Sequence, residues 1–107
     1  MAKPAFLIAQ IDVKSYPEYL DEYGSLVYPL ATKAGGEFLV ATRHAETLEG
    51  EWSGNWTVVI RFPSTEAARS FYISPEYAPL LAARTDRLSN GGNLVMVEGF
   101  ELNPMPQ

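Results

Sequence analysis

Apolar residues occupy both faces of every extended segment in this 107-residue chain. In strand reading, Phe6 and Ile8 alternate with Leu7, Ala9 and Ile11, and Phe38 and Val40 with Leu39 and Ala41. Trp56, Val58, Ile60 and Phe62 alternate with Val59, and Leu94, Met96 and Phe100 with Val95 and Val97. A sheet that turns one face to water alternates apolar with polar residues instead. The pattern therefore predicts helices on one sheet face and a second copy of the chain on the other. A bare face of this kind would exceed the apolar patch of roughly a few hundred Å² that monomers tolerate.

The segments between these runs read as helices. Ser15 with Glu18 three residues on forms a capping-box pattern, and Pro17 falls in the first turn, so a helix is expected from Ser15 to about Lys33. Tyr16, Tyr19, Leu20, Tyr23, Val27, Leu30 and Ala34 form its apolar stripe. Pro29 should kink or split it, and Gly35-Gly36 supplies a left-handed stop. Ser64 caps a short helix that buries Ala67, Ala68, Phe71 and Tyr72. Ser74-Pro75-Glu76 opens another that carries Tyr77, Leu80, Leu81, Arg84 and Leu88, and Asn90-Gly91-Gly92 ends it. Strands are placed at 5–13, about 37–44, 55–62 and 93–102, and the polar stretch 45–54 makes a long hairpin loop. The order β-α-β-β-α-β is the ferredoxin-like split arrangement, an α+β fold. Right-handed crossovers put both helices on one face of a four-stranded antiparallel sheet. One domain is expected over 1–102, followed by a loose tail at 103–107.

Composition narrows the partners. Eight Lys and Arg against thirteen Asp and Glu give a formal charge of −5, which disfavours nucleic acid and anionic membrane surfaces. The chain has no cysteine, which excludes disulfides, thiolate nucleophiles and iron–sulfur clusters. The first apolar run is too short for a signal core or a membrane span, so the cytoplasm is the expected location.

The segments Ala34-Gly-Gly-Glu-Phe-Leu-Val40, Leu48-Glu-Gly50, Val59-Ile-Arg-Phe-Pro-Ser64 and Ala67-Ala-Arg-Ser-Phe-Tyr-Ile-Ser-Pro-Glu-Tyr77, with Arg84 beyond, closely resemble domain-of-unknown-function family 1330. The resemblance runs from Phe6 to Phe100. It implies the dimeric α/β-barrel superfamily, in which two ferredoxin-like protomers pack sheet against sheet, but no common reaction. The chain departs from the family pattern at Arg61, where an acidic residue commonly precedes Phe-Pro-Ser, and at Phe71, where tryptophan commonly precedes Tyr72.

Few residues carry chemistry. His44 is the only histidine, the residue type whose unperturbed pKa lies near neutrality, so it is a candidate general base. Haem ligation, known among the superfamily's wider relatives, ranks below a hydrogen-bonded histidine at a strand end. Tyr72, Tyr77 and Arg84 cluster around the broken second helix, with Arg84 two turns beyond Tyr77 on the same face. An inward Arg84 needs either a carboxylate, with Glu49 or Glu98 as the candidates, or a polar ligand. Trp52, Trp56 and the helix-one tyrosines suit either an aromatic pocket or the core. Glu46, Glu49 and Glu51 read as solvated loop acids without metal-site spacing. No nucleotide, serine-hydrolase or zinc-protease motif occurs.

His44, Tyr72 and Arg84 are thus the candidate catalytic residues, and Trp56, Tyr77 and Glu49 the candidate ligand-binding ones, with no metal and no bound cofactor. Two functions fit. One is a dimer that binds or transforms a small carbonyl, acidic or phenolic metabolite; as an enzyme it would be a cofactor-independent oxygenase, isomerase or decarboxylase. The other is a non-enzymatic assembly or sensor module, which requires Arg84 to pair internally with Glu49.

Overall fold

The computed structural model of the chain describes residues 3–100. Strands β1 (Ala5–Val13), β2 (Glu37–Thr42), β3 (Trp56–Phe62) and β4 (Ser89–Glu98) form a four-stranded antiparallel sheet in the order β2-β3-β1-β4. The first crossover contains α1 (Tyr16–Tyr19), a π-helical turn (Leu20–Gly24) and α2 (Ser25–Lys33). The second contains α3 (Thr65–Tyr72), α4 (Ala78–Ala83) and a second π-helical turn (Arg84–Leu88). This is the ferredoxin-like fold, with the helices on one sheet face. β4 ends at Glu98, so the strand expected over 93–102 stops before Gly99 and Phe100; Leu102 and the tail at 103–107 lie outside the described residues.

β1 is central because it pairs on both sides from Ala5 to Ile11, and its pleat separates two environments. Ala5, Leu7, Ile11 and Val13 are buried beneath the helices, together with Trp56, Ile60 and Phe62 of β3. Phe6 and Ile8 point the other way. On that open face Val40, Val59, Ile8 and Val95 line up as one row across all four strands. Val95 is 50% exposed and Val40 37%. A polar row of Thr42, Thr57, Gln10 and Asn93 flanks it, with Asn93 Nδ2 donating to Gln10 Oε1 at 3.1 Å.

The alternation expected in β2 is corrected by a bulge. Phe38 pairs with Ile60 but Val40 with Val59, so Leu39 is the extra residue. Inserting one residue flips the pleat. Phe38 and Ala41 therefore share the helix side, and Val40 joins the open face. β2 also stops at Thr42, which leaves His44 in the following loop.

The helical caps are partly as expected. Ser64 Oγ accepts from Ala67 N at 3.1 Å, and a Schellman stop closes α2, with Gly35 at φ 99° and Gly36 N donating to Ala31 O. The capping box at Ser15 does not form: Ser15 is the N-cap residue, but its side chain makes no cap hydrogen bond. Pro17, the second helical residue, lacks one of the N–H groups such a cap serves. Nor does Ser74 cap α4 directly; its hydroxyl accepts from Tyr77 N at 3.2 Å in the turn before that helix.

Pro29 lies inside an unbroken α2, and the irregularity falls upstream in the first π turn. Ser25, where that turn ends, is the residue whose carbonyl loses its partner to Pro29. The wider turn also resets the buried stripe. Tyr19, Tyr23, Val27 and Ala31 are buried at intervals of four residues. On a straight α-helix that spacing drifts by about 40° per step, and the π turn absorbs part of the drift. Leu20 and Ala34, expected in the stripe, are exposed.

β4 starts earlier than expected and takes in Asn90-Gly91-Gly92. Gly92 lies opposite Ile11, where a Cβ would collide with the Gln10 carbonyl oxygen and the Ile11 Cα. No helix among the described residues is long and apolar enough to cross a membrane.

Candidate functional site

Between helices and sheet lies a cavity of about 220 Å³. Its floor is Leu7, Ala9, Ile11, Val58 and Ile60, and its roof includes Tyr19, Tyr23 and Val27 from the first crossover and Tyr72, Tyr77 and Arg84 from the second. Tyr28 and Phe38, whose ring centroids stack 5.1 Å apart, stand on the side of β2.

Aromatic rings form an arc around this space. It runs from Phe62 to Phe71 (centroids 5.5 Å apart), Tyr77 (4.9 Å), Tyr23 (6.3 Å), Tyr19 (5.0 Å), Trp56 (6.2 Å) and Tyr16 (5.1 Å). Both π turns contribute to the site, Tyr23 from the first and Arg84 from the second. On the outer surface an Arg87–Glu22 ion pair of 2.6 Å links the same two turns.

Three polar groups converge within the apolar wall. Tyr23 and Tyr77 share a hydroxyl–hydroxyl hydrogen bond of 2.6 Å. The Arg84 guanidinium carbon lies 5.9 Å from the Tyr23 ring centroid, and the residue is 7% exposed. Neither Glu49 nor Glu98 reaches it: no carboxylate pairs with Arg84 among the described residues. Glu49 is exposed in the hairpin loop, and Glu98 faces Lys3 at 3.9 Å. The expected internal ion pair is therefore absent: Glu49 is exposed, whereas Arg84 is buried. No buried side-chain nitrogen or oxygen lacks a partner among the described residues. Arg84 lines the cavity, where the Tyr77 hydroxyl is its hydrogen-bonding neighbour and no acid neutralises it among the described residues.

Protonation follows from burial. Burial pushes the Tyr19 hydroxyl well above the ordinary tyrosine range, with nearby Arg84 opposing. Tyr23 shifts in the same direction, through burial first and then through Tyr77 and Tyr19. For Arg84 burial disfavours the charge, but the Tyr77, Tyr23 and Tyr19 oxygens outweigh it and raise its pKa. At neutral pH the Arg84 guanidinium is a cation beside the neutral phenols of Tyr19 and Tyr23. The cluster can donate to an oxygen that carries negative charge, and among the described residues no carboxylate or imidazole lines the wall to take up a proton.

Of the six residues singled out from the sequence, the structure brings Tyr72, Tyr77, Arg84 and Trp56 together at this cavity. His44 and Glu49 are exposed on the β2–β3 loop and do not line it; His44 is fixed only through its backbone N–H, which donates to Thr42 Oγ1. Trp52 is on the same loop, 47% exposed. Tyr19 and Tyr23, offered by the sequence only among the helix-one tyrosines for an aromatic pocket or the core, also line the cavity. Their places four residues apart on the helix-one stripe were the available signal. No group of three or more His, Asp or Glu side chains among the described residues could hold a metal ion.

Solved structures of similar fold are distant in sequence. A protein of unknown function from Rhodopseudomonas palustris is 17% identical, with a TM-score of 0.72 over 94% of this chain and 85% of that one. SnoaB, a cofactor-independent oxygenase from Streptomyces nogalater, is 17% identical, with a TM-score of 0.64 over 96% of this chain and 99% of its own. A dimeric ferredoxin-like protein of unknown function from Thermobifida fusca is 12% identical, with a TM-score of 0.59 over 92% and 93% of the two chains. No curated protein matches the chain. Residues 4–100 match the model of one family, and the chain belongs to it: Domain of unknown function (DUF1330).

Proposed function

We propose that the protein binds a small carbonyl, acidic or phenolic metabolite in the cavity between sheet and helices, without a resident cofactor, as a homodimer closed through the open sheet face. The observation that carries this reading is Arg84, which is buried at the cavity wall with no carboxylate partner among the described residues. A charge taken out of water without a partner costs several kcal/mol, and a site that binds oxygen-bearing ligands gives a reason to keep it. A module that only assembles has no use for such a group, and it required the Arg84–Glu49 pair.

Any turnover in this pocket runs by electrophilic stabilisation. Arg84 and the tyrosine hydroxyls can hold a developing oxyanion or enolate. With no base in the wall, the substrate must ionise readily by itself. That requirement suits cofactor-independent oxidation, isomerisation or decarboxylation. SnoaB supplies a cofactor-independent oxygenase of similar fold.

The dimer rests on the apolar row Val40, Val59, Ile8 and Val95 and on a similar fold described as dimeric. The test is a thermal-shift screen of small acids, ketones and phenols against the full chain. A ligand present at 100 times its dissociation constant adds about 2.7 kcal/mol of stability. Ligands of these classes should raise the melting temperature and quench Trp56 emission, and a library that does neither overturns the reading.

A further inference from the structure

The size of the cavity and its one charge define the ligand more narrowly, given that the cavity is a binding site at all. We propose that it takes a monoanion built on a single six-membered ring, with its carboxylate or equivalent oxyanion on Arg84 and the Tyr23–Tyr77 hydroxyl pair and its ring in the aromatic arc.

Volume sets the body. Drug-sized ligands occupy pockets of about 300–1,000 Å³, whereas an apolar cavity of about 150 Å³ holds one benzene. At about 220 Å³ this cavity takes one ring with about 70 Å³ left over, roughly the share of two waters at about 30 Å³ each, which a carboxylate fills. A compound of three or more fused rings does not fit within that volume.

Charge sets the head group. Among the described residues Arg84 is the only formally charged one in the wall, so a single negative charge neutralises it and a dianion such as a phosphate monoester would leave one charge stranded in an apolar space. The guanidinium offers paired donors that match a carboxylate in two-point contact. The tyrosine pair adds a third donor once one hydroxyl turns from its neighbour to the ligand. A neutral ring compound would leave Arg84 unpaired. Tyr23 and Arg84 sit on the two π turns and Tyr77 just before α4, and the opposite side at Val58 and Ile60 is apolar, so the ligand has one orientation.

The experiment is calorimetric titration of the full chain at pH 7.5 with benzoate, benzamide and toluene, repeated on Arg84→Gln. Benzoate should bind at least about tenfold more tightly than benzamide, a difference of about 1.4 kcal/mol. Arg84→Gln should abolish that preference while toluene still binds. Benzamide matching benzoate on the unaltered protein, a comparison that needs no variant to fold, overturns the charge assignment. Undiminished benzoate binding by Arg84→Gln does the same. In both cases toluene binding leaves the pocket itself standing, whereas silence from all three probes rejects pocket and ligand class together.

Discussion

The hydroxyls of Tyr23 and Tyr77 meet at 2.6 Å although 54 residues separate them, and they join the two helical crossovers above the cavity. One hydroxyl donates and the other accepts, so each satisfies its neighbour in a buried setting. Removing either oxygen orphans the other, at a cost of about 1–3 kcal/mol, whereas removing both orphans none. Tyr23→Phe and Tyr77→Phe should each lower unfolding free energy by about 1–2 kcal/mol, and the double variant should cost less than the sum. Urea denaturation of the four proteins checks this; strict additivity would show that the hydroxyls act independently.

Arg84 makes the opposite prediction. It is 7% exposed and faces no carboxylate among the described residues, so burial disfavours its charge and tyrosine oxygens, not a counter-ion, offset that penalty. Replacing buried charge with an apolar side chain of similar length is often stabilising, by about 1–4 kcal/mol. Arg84→Met should therefore raise the melting temperature and remove the response to acidic ligands. A variant less stable than the parent would mean that the guanidinium holds the π turns together.

The tyrosines fix the alkaline limit of stability. Tyr19 and Tyr23 have folded-state pKa values raised above the unfolded value, chiefly by burial. Between the unfolded pKa of about 10 and the raised folded values, the unfolded chain loses protons that the folded chain keeps. Their contribution is complete below about pH 10 and is lost above it, at about 1.4 kcal/mol per pH unit for each tyrosine. Of the six tyrosines, Tyr19 and Tyr23 should remain protonated in an absorbance titration until the protein unfolds. Normal, reversible titration of all six in the folded state would contradict this burial.

Much of this architecture was legible in the residues because patterning and topology are local signals. Two-sided strands and the cap residues Ser64 and Gly35 gave the element order, and the order left one sheet face open. Tyr77 and Arg84 were legible as a pair because a spacing of seven places them on one helical face. Three features depended on non-local geometry. The β2 bulge at Leu39 arises from register against β3 and changes which side Val40 faces. The π turn at 20–24 comes from packing of the crossover and brings Tyr23 inward while Leu20 turns out. The direction of the β2–β3 loop separates Glu49 and His44 from the cavity, which no spacing rule encodes. Gly92 is a related case: its glycine signals a helix stop in the sequence, but in the fold it admits β1 at close range.

The open sheet face yields the prediction that tests assembly. Ile8 sits near the middle of the row Val40, Val59, Ile8, Val95, on the central strand, with the exposed Arg61–Glu37 pair at 3.9 Å to one side and the polar row of Gln10 to the other. In a two-fold interface each patch meets its own copy, so one substitution acts twice. Ile8→Lys places two ammonium groups in an apolar seam where neither has a partner, a cost that a protomer avoids by remaining alone in water. The substituted side chain lies on the face away from the helices, so the protomer core, which includes Leu7 and Ile60, is left intact. Light scattering at micromolar concentration should report a dimer for the unaltered chain and a folded monomer for Ile8→Lys. The melting temperature should rise with protein concentration only in the former, because association stabilises by mass action. A stable, well-behaved monomer of the unaltered chain would refute the dimer and require another explanation for the valine row.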